Sequence, residues 1–456
     1  MHIGRRRFLT WTGAAVGGLT LSTPFSRIAH ANPSRRFVFA YFDGGWDLLL
    51  GLDPRDPATT NPQDNEIDPA YDQLPPAYRN RGIRTAANGL RFGPAVPESL
   101  LRHADDLTIV NGIGMDTAAH EVGRRYFITG RFPRGLSAVG SSAPAEIVAA
   151  QGDGSAIPHM AAGVEAYAQE MPPYAAPFRV NSLDDLTVAL TPFVDVPGGV
   201  LNAVQRFHAE GPGCETPSLG IDRGAAAAME SNRTRARRFI EDQLAAAFDL
   251  SRTDTEMTRL RELYGIAPGI GDRTSPEVLS FVAGQTVKAG ISQAVSVRVA
   301  RGLDTHSAWA PNHPPRLEQG FAALAALIQD LKDTPLPEDP SRSVFDETTL
   351  VAFSEFGRTP LINDLQGRDH HLGNSCLLAG AGIRTGRTVG ASASVGMLPI
   401  HLNPQTAQTY ERPSQSLVES GEAIVLNPSH ILTTVYSLAG VSTDLLRSSV
   451  VPALLA

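Results

Sequence analysis

The sequence predicts an α/β fold built on one large, mainly parallel sheet flanked by helices. Two observations carry this. Three apolar, strand-like stretches, at 37–42, 294–300 and 348–353, each run directly into a loop rich in Asp, Glu or His. Between the second and third lies an amphipathic helix, 315–331, with Leu317, Phe321, Leu324, Leu327, Ile328 and Leu331 on one side. Open parallel sheets bind ligands at the carboxyl ends of their strands, so this order places a site along one edge.

The chain starts with what reads as an export signal. Gly4-Arg5-Arg6-Arg7-Phe8-Leu9 resembles a twin-arginine motif. A weakly apolar run from Trp11 to Leu21 follows, then Ala29-His30-Ala31, a small-x-small cleavage site. The run is too short and too polar to span a bilayer. The expected organisation is a signal peptide at 1–31 and a single domain at 32–456. Its partner during export is the twin-arginine translocase and its destination is the periplasm or the medium. The net charge of −8 and the lack of a basic cluster argue against nucleic acid as a partner. The 456 residues, 42% of them hydrophobic, suffice for a large core.

The first core strand, 37–42, ends in Asp43-Gly44-Gly45-Trp46-Asp47. Residues 53–96, rich in Pro, Asn, Asp and Gln, read as a surface excursion. A short helix at 97–103 and a strand at 107–110 follow, then a helix over 117–130 with His120, Arg124 and Arg125. From about 141 to 290 the pattern is helical with little strand signal, which reads as an inserted helical cap. It includes a long amphipathic helix at 225–250. The strand at 294–300 alternates Val295, Val297 and Val299 and leads into Asp304-Thr305-His306. The strand at 348–353 leads into Glu355, Arg358, Asn363, Arg368, Asp369, His370 and His371. A strand at 375–379 and a helix at 430–438, opened by Asn427-Pro428, close the chain. Cys214 and Cys376 are the two cysteines. They could pair in an oxidising compartment, although Cys376 sits in an apolar strand where a small core residue fits better.

Asp43, Asp304, His306, Asp369 and His370 all follow strands, the placement expected of metal ligands. Carboxylate with imidazole suits zinc, manganese or iron, and a carboxylate-rich set also suits magnesium or calcium. The alternative is a polar crevice whose acids pair with Arg301, Arg358 and Arg368.

Asp43-Gly44-Gly45-Trp46-Asp47, Asp304-Thr305-His306, Ser354-Glu355-Phe356-Gly357-Arg358-Thr359-Pro360 and Gly367-Arg368-Asp369-His370 together resemble a family of twin-arginine-exported bacterial proteins of unknown function. That family is sulfatase-like and similar in layout to the alkaline phosphatase superfamily. The resemblance implies an alkaline phosphatase-like sheet, two divalent metal ions and hydrolysis of an anionic phosphate or sulfate ester of a small molecule. It implies Asp43, Asp304, His306, Asp369 and His370 as ligands, with His401 or His430 in the place of a last histidine. The nucleophile is where the chain departs from the pattern, since Thr117 is the only hydroxyl in Asp116-Thr117-Ala118-Ala119-His120. A metal-activated water with His120 or Glu355 as proton acceptor, near Arg358, is the other route. A non-catalytic envelope protein with a degenerate metal site is the competing reading.

If the N-terminal segment is a twin-arginine signal, Arg5→Lys combined with Arg6→Lys blocks export. Cell fractionation reads this directly: the double variant accumulates in the cytoplasm, and an unchanged periplasmic yield would contradict the reading.

Overall fold

In the computed structural model the described residues are 35–190, 244–269 and 271–456. The expected helix at 225–250 lies mostly outside them, as do the signal segment and Cys214. No helix among the described residues is long and apolar enough to cross a membrane.

Eight strands form the main sheet: β1 (Arg36–Phe42), β2 (Leu107–Gly114), β3 (His159–Ala162), β4 (Phe178–Val180), β5 (Ala294–Ala300), β6 (Thr348–Ser354), β7 (Gly373–Gly380) and β8 (Arg387–Val389). Their order is β8-β2-β7-β6-β1-β5-β3-β4. Only β7 runs against its neighbours. This is the layout that the resemblance to the alkaline phosphatase superfamily implies.

The central strand explains the layering. Along β1, Val38, Ala40 and Phe42 join one apolar cluster, while Phe37, Phe39 and Tyr41 join the other. Successive side chains of a strand point to opposite faces, so a strand that is apolar at every position must be covered on both sides. Helices α1 (His120–Thr129), α2 (Ala143–Gln151) and α6 (Pro428–Ala439) supply residues to one cluster. Helices α3 (Thr255–Tyr264), α4 (Pro276–Lys288) and α5 (Trp309–Asp333) supply the other. On the second face Phe42, Trp46 and Phe321 pack ring to ring, with Phe42 5.0 Å from each of the other two. On the first, Phe127 of α1 stacks on Phe353 of β6 at 4.4 Å.

Two expectations change here. The stretch 141–290 is rich in helix among its described residues, but it also contributes β3 and β4 to the sheet edge, and α4 packs on the sheet face. It therefore supplies the edge of the sheet as well as helices. The strand signal is weak because β3 and β4 have 4 and 3 residues and little β-branched content. The helix expected at 315–331 starts earlier, at Trp309, despite Pro314 and Pro315 inside it. The added turns carry His313, which is fully buried.

Strands β1, β2, β5 and β6 point the same way, so their carboxyl ends share one edge of the sheet. Because β7 is reversed, its start lies at that same edge. The loop from Glu355 to Leu372 therefore leaves the edge at the end of β6 and returns to it before β7. This brings four loops together at one end of the molecule.

Candidate metal centre

Each histidine of the site is held from behind. His120 is the first residue of α1, and its Nδ1 lies 2.8 Å from Oε1 of the fully buried Glu355. The same oxygen accepts the Gly44 N–H at 2.9 Å, and Ser354 Oγ lies 2.9 Å from Oε2. Burial works to raise the Glu355 pKa, but the bond to His120 and the other donors outweigh it and the net shift is downward. Glu355 is thus an ionised acceptor. His306 Nδ1 lies 2.6 Å from Asp369 Oδ1, and His370 Nδ1 lies 2.5 Å from the Ala118 carbonyl oxygen. All three partners accept hydrogen bonds, so each Nδ1 carries a proton and Nε2 is the nitrogen left to face a cation.

The three Nε2 atoms turn toward Asp304. Its Oδ1 lies 3.5 Å from His120 Nε2, 3.1 Å from His306 Nε2 and 3.3 Å from His370 Nε2. His306 and His370 bring their Nε2 atoms within 2.9 Å of each other. Among the described residues, His120, Asp304 and His370 offer ligand atoms that all lie within 4.8 Å of one another. His120 Nε2 is buried and has no hydrogen-bond partner. Two donors bound to one tetrahedral cation at about 2.0–2.1 Å lie about 3.3 Å apart. The spacings to Asp304 Oδ1, and between His306 and His370, bracket that figure. His120, Asp304 and His370 therefore fit a single cation, with His306 adjoining Asp304 and His370, and the orphaned nitrogen of His120 is the atom such a cation would satisfy.

Charge supports the same geometry. Burial of His120 works to lower its pKa, but Glu355 and Asp304 outweigh it and raise it. The pair of carboxylates favours positive charge beside this ring, whether proton or metal. Asp304 is held down to a pKa of about 2: burial opposes this, but the Arg358 guanidinium prevails. His370 is lowered by burial and then by Arg358 and His120. The Asp369 pKa is lowered, first by its bond to His306. One face of the cluster is open, with the Asp304 and His306 side chains 45% and 41% exposed.

Arg358 lies under the cluster and is 2% exposed. It donates to Asp304 Oδ1 at 2.6 Å, to the carbonyls of Gly44 and Gly45, and to the Arg368 carbonyl at 3.1 Å. Arg368 is also fully buried. It pairs with Asp47 at 3.0 Å and donates to the Thr359 carbonyl, and its guanidinium sits 4.5 Å over the Trp309 ring. His313 accepts the Asp47 N–H at 3.0 Å and bonds Thr305, so it belongs to this support.

The structure brings some of the expected site residues together and holds others apart. Asp304, His306, Asp369 and His370 come together, but Asp369 contacts His306 and Asn363 and stands behind the histidine. Asp43 stays apart: it accepts from Tyr41 Oη at 3.0 Å and faces Arg124 at 4.0 Å. Tyr41 and Asp43 are two residues apart and share a face, so Asp43 is directed to the α1 side. Burial, then Glu355, raises its pKa. His120, expected as a proton acceptor, turns its Nε2 toward Asp304 with the other two histidines. Glu355 and Arg358, expected in catalysis, are buried beneath the cluster. The Thr117 hydroxyl accepts the Ala119 N–H at 3.2 Å, a local turn. His430 bonds Asn427 at the start of α6, and His401 sits in a short ladder with Tyr410. Neither is among the converging residues. Asn363, which holds Asp369 and the His306 carbonyl, was visible in the sequence only as one polar residue of its loop. A cleft of about 600 Å³ lined by Ser99, His103, Tyr264 and Glu277 lies apart from this centre.

Two close approaches make the geometry possible. Gly123 lets α1 settle onto the Glu355 carbonyl, and Gly367 lets its loop press on the His306 carbonyl; a Cβ at either position would overlap backbone. Gly367→Ala therefore displaces the 363–369 loop from the 304–306 loop. We expect a loss of about 1–3 kcal/mol in denaturant unfolding, with weakened metal retention. A variant that matches the wild type in both would show that the contact is dispensable.

Two solved structures resemble the chain weakly. The lipoteichoic acid synthase LtaP from Listeria monocytogenes aligns with a TM-score of 0.39 and 10% identity, over 92% of this chain and 76% of that one. Ps i-CgsB in complex with k-i-k-neocarrahexaose aligns with a TM-score of 0.37 and 9% identity, over 92% and 75%. Likeness at this level does not bear on activity. No curated protein matches the chain. A family match, in contrast, spans residues 34–407, and by it the chain belongs to the family described as protein of unknown function, DUF1501.

Proposed function

We propose that the protein is an exported, metal-dependent hydrolase of phosphate or sulfate esters. The observation that carries this is the convergence of three imidazole nitrogens and one carboxylate oxygen on an open face. His120, Asp304, His306 and His370 would hold the divalent ion. A bound cation of this kind polarises an ester oxygen or lowers the pKa of a water.

The chain's own residues do the rest. Arg358 fixes Asp304 and keeps it ionised. It also places a fixed positive charge beneath the point where an anionic ester would sit. Glu355 and Asp369 orient His120 and His306. The exposed sides of Asp304, His306 and Asp369, the last 53% exposed, form the approach for substrate. Covalent catalysis through Thr117 has no support from its contacts, so water is the better nucleophile. Export rests on the N-terminal motif and cleavage site.

One observation favours the non-catalytic reading. With His306 joining His120, Asp304 and His370, four protein donors would fill a tetrahedral shell, as in structural zinc sites, whereas catalytic sites keep a position open. The exposed face answers this, because a cation there can take a fifth ligand from solvent.

The test is to assay protein loaded with zinc, manganese, magnesium or calcium, one at a time, on an aryl phosphate and an aryl sulfate. Turnover with at least one metal is expected. It should fall at least about 100-fold in His370→Ala, the scale of losing a positioned metal, and stay near wild type in Thr117→Ala. Bound metal with no turnover of either ester would favour the binding or assembly role.

A further inference from the structure

We infer that the centre takes one borderline transition cation of the zinc type in preference to magnesium or calcium, and that Glu355 and Asp369 are positioning residues for His120 and His306 and not ligands. The inference uses the reading of His120, Asp304, His306 and His370 as a cation site; it does not depend on ester hydrolysis.

The donor count decides the class of metal. Magnesium and calcium are hard cations that take oxygen, calcium with six to eight oxygen ligands and magnesium in a tight octahedron that keeps waters. The atoms that lie together here are a nitrogen each of His120 and His370 and one oxygen of Asp304, with His306 Nε2 adjoining at 2.9 Å from His370 Nε2. Imidazole suits zinc, cobalt, nickel, copper and iron. The carboxylates that could have supplied more oxygen face elsewhere. Glu355 spends its Oε1 on His120 Nδ1 and the Gly44 N–H and is sealed from solvent. Asp369 spends Oδ1 on His306 Nδ1 at 2.6 Å and on Asn363 Nδ2 at 3.0 Å. Asp43 is tied to Tyr41. Asp304 is the carboxylate that faces all three Nε2 atoms, so the proposal is for one cation where the resemblance implies two.

The carboxylates behind the rings have a definite task. A carboxylate on Nδ1–H fixes the tautomer, aims Nε2 and makes it a better donor. The sequence separates the members of each pair widely: His120 from Glu355 and His306 from Asp369. Three independent backings, Glu355, Asp369 and the Ala118 carbonyl, give all three rings the same tautomer. Random packing of histidines has no reason to produce that agreement.

Two measurements test the proposal on the purified mature protein stripped with chelator. In competition titrations against a chromophoric indicator, one equivalent of zinc binds per chain, and a hundredfold excess of magnesium or calcium does not displace it. Asp369→Ala still takes up one equivalent but about 10–100-fold more weakly, whereas Asp304→Ala and His306→Ala lose most of the binding. In the second measurement cobalt(II) replaces zinc and the ring N–H protons are read by paramagnetic proton NMR. Three exchangeable shifted signals are expected, one for each Nδ1–H. Asp369→Ala should lose or broaden one of them through faster exchange, and Asp369→Asn, which keeps an acceptor oxygen, should restore it. Displacement by magnesium or calcium, two equivalents of zinc, or three unchanged signals in Asp369→Ala would each overturn the proposal. Metal binding as described without ester turnover would leave it standing and refute the hydrolase alone.

Discussion

A buried guanidinium organises this end of the molecule. Arg358 brings a guanidinium charge and its N–H groups into the interior, where the charge must be answered and the N–H groups met. It meets that demand by binding three separate loops: Gly44 and Gly45 after β1, Asp304 after β5, and Arg368 within its own loop. Each loop leaves a different place on the sheet edge, and their common partner sets their spacing. A lysine has one point of charge and no fork, and could not hold the three together. Arg368 repeats the device one layer out, joining Asp47 to the Thr359 carbonyl beside Trp309.

On this base the histidines are aimed by their second nitrogens. His120 comes from a helix, His306 from the loop after β5 and His370 from the strand-like return toward β7. They have no local sequence relation. Each has an acceptor at Nδ1, and each presents Nε2 to Asp304. Asp304 is thus placed between a guanidinium on one side and three nitrogens on the other, which keeps it ionised and makes it the anionic member of the set. The outer carboxylates, Glu355 and Asp369, stand on the Nδ1 side of His120 and His306.

Much of the fold was legible in the sequence. Apolar runs that end abruptly in Asp, Glu and His mark β1, β5 and β6, because a strand buried on both faces must change character where it leaves the core. The same break marks Asp304, His306, Asp369 and His370. What the sequence does not carry is direction. It places Asp43 at a strand end but does not say that the side chain follows Tyr41 onto the α1 face. It shows Asp369 beside His370 but not that one backs a histidine while the other presents one. His120 is hidden because an isolated histidine on a helix has no distinctive neighbours, and Glu355, its partner, lies far along the chain. The reversal of β7 is hidden for a related reason: strand direction is set by which edge the connection returns to, and the 355–372 loop returns to the edge it left.

The central claim is that one cation is held by His120, Asp304, His306 and His370. The most direct test is anomalous diffraction from crystals of the zinc-loaded protein, recorded on both sides of the zinc edge. The account predicts a single peak per chain, about 2.0–2.1 Å from the three Nε2 atoms and from Asp304 Oδ1, with Asp369 and Glu355 still on the Nδ1 side of their rings. A peak bound by Asp43 or Asp369, or two peaks per chain, would contradict it.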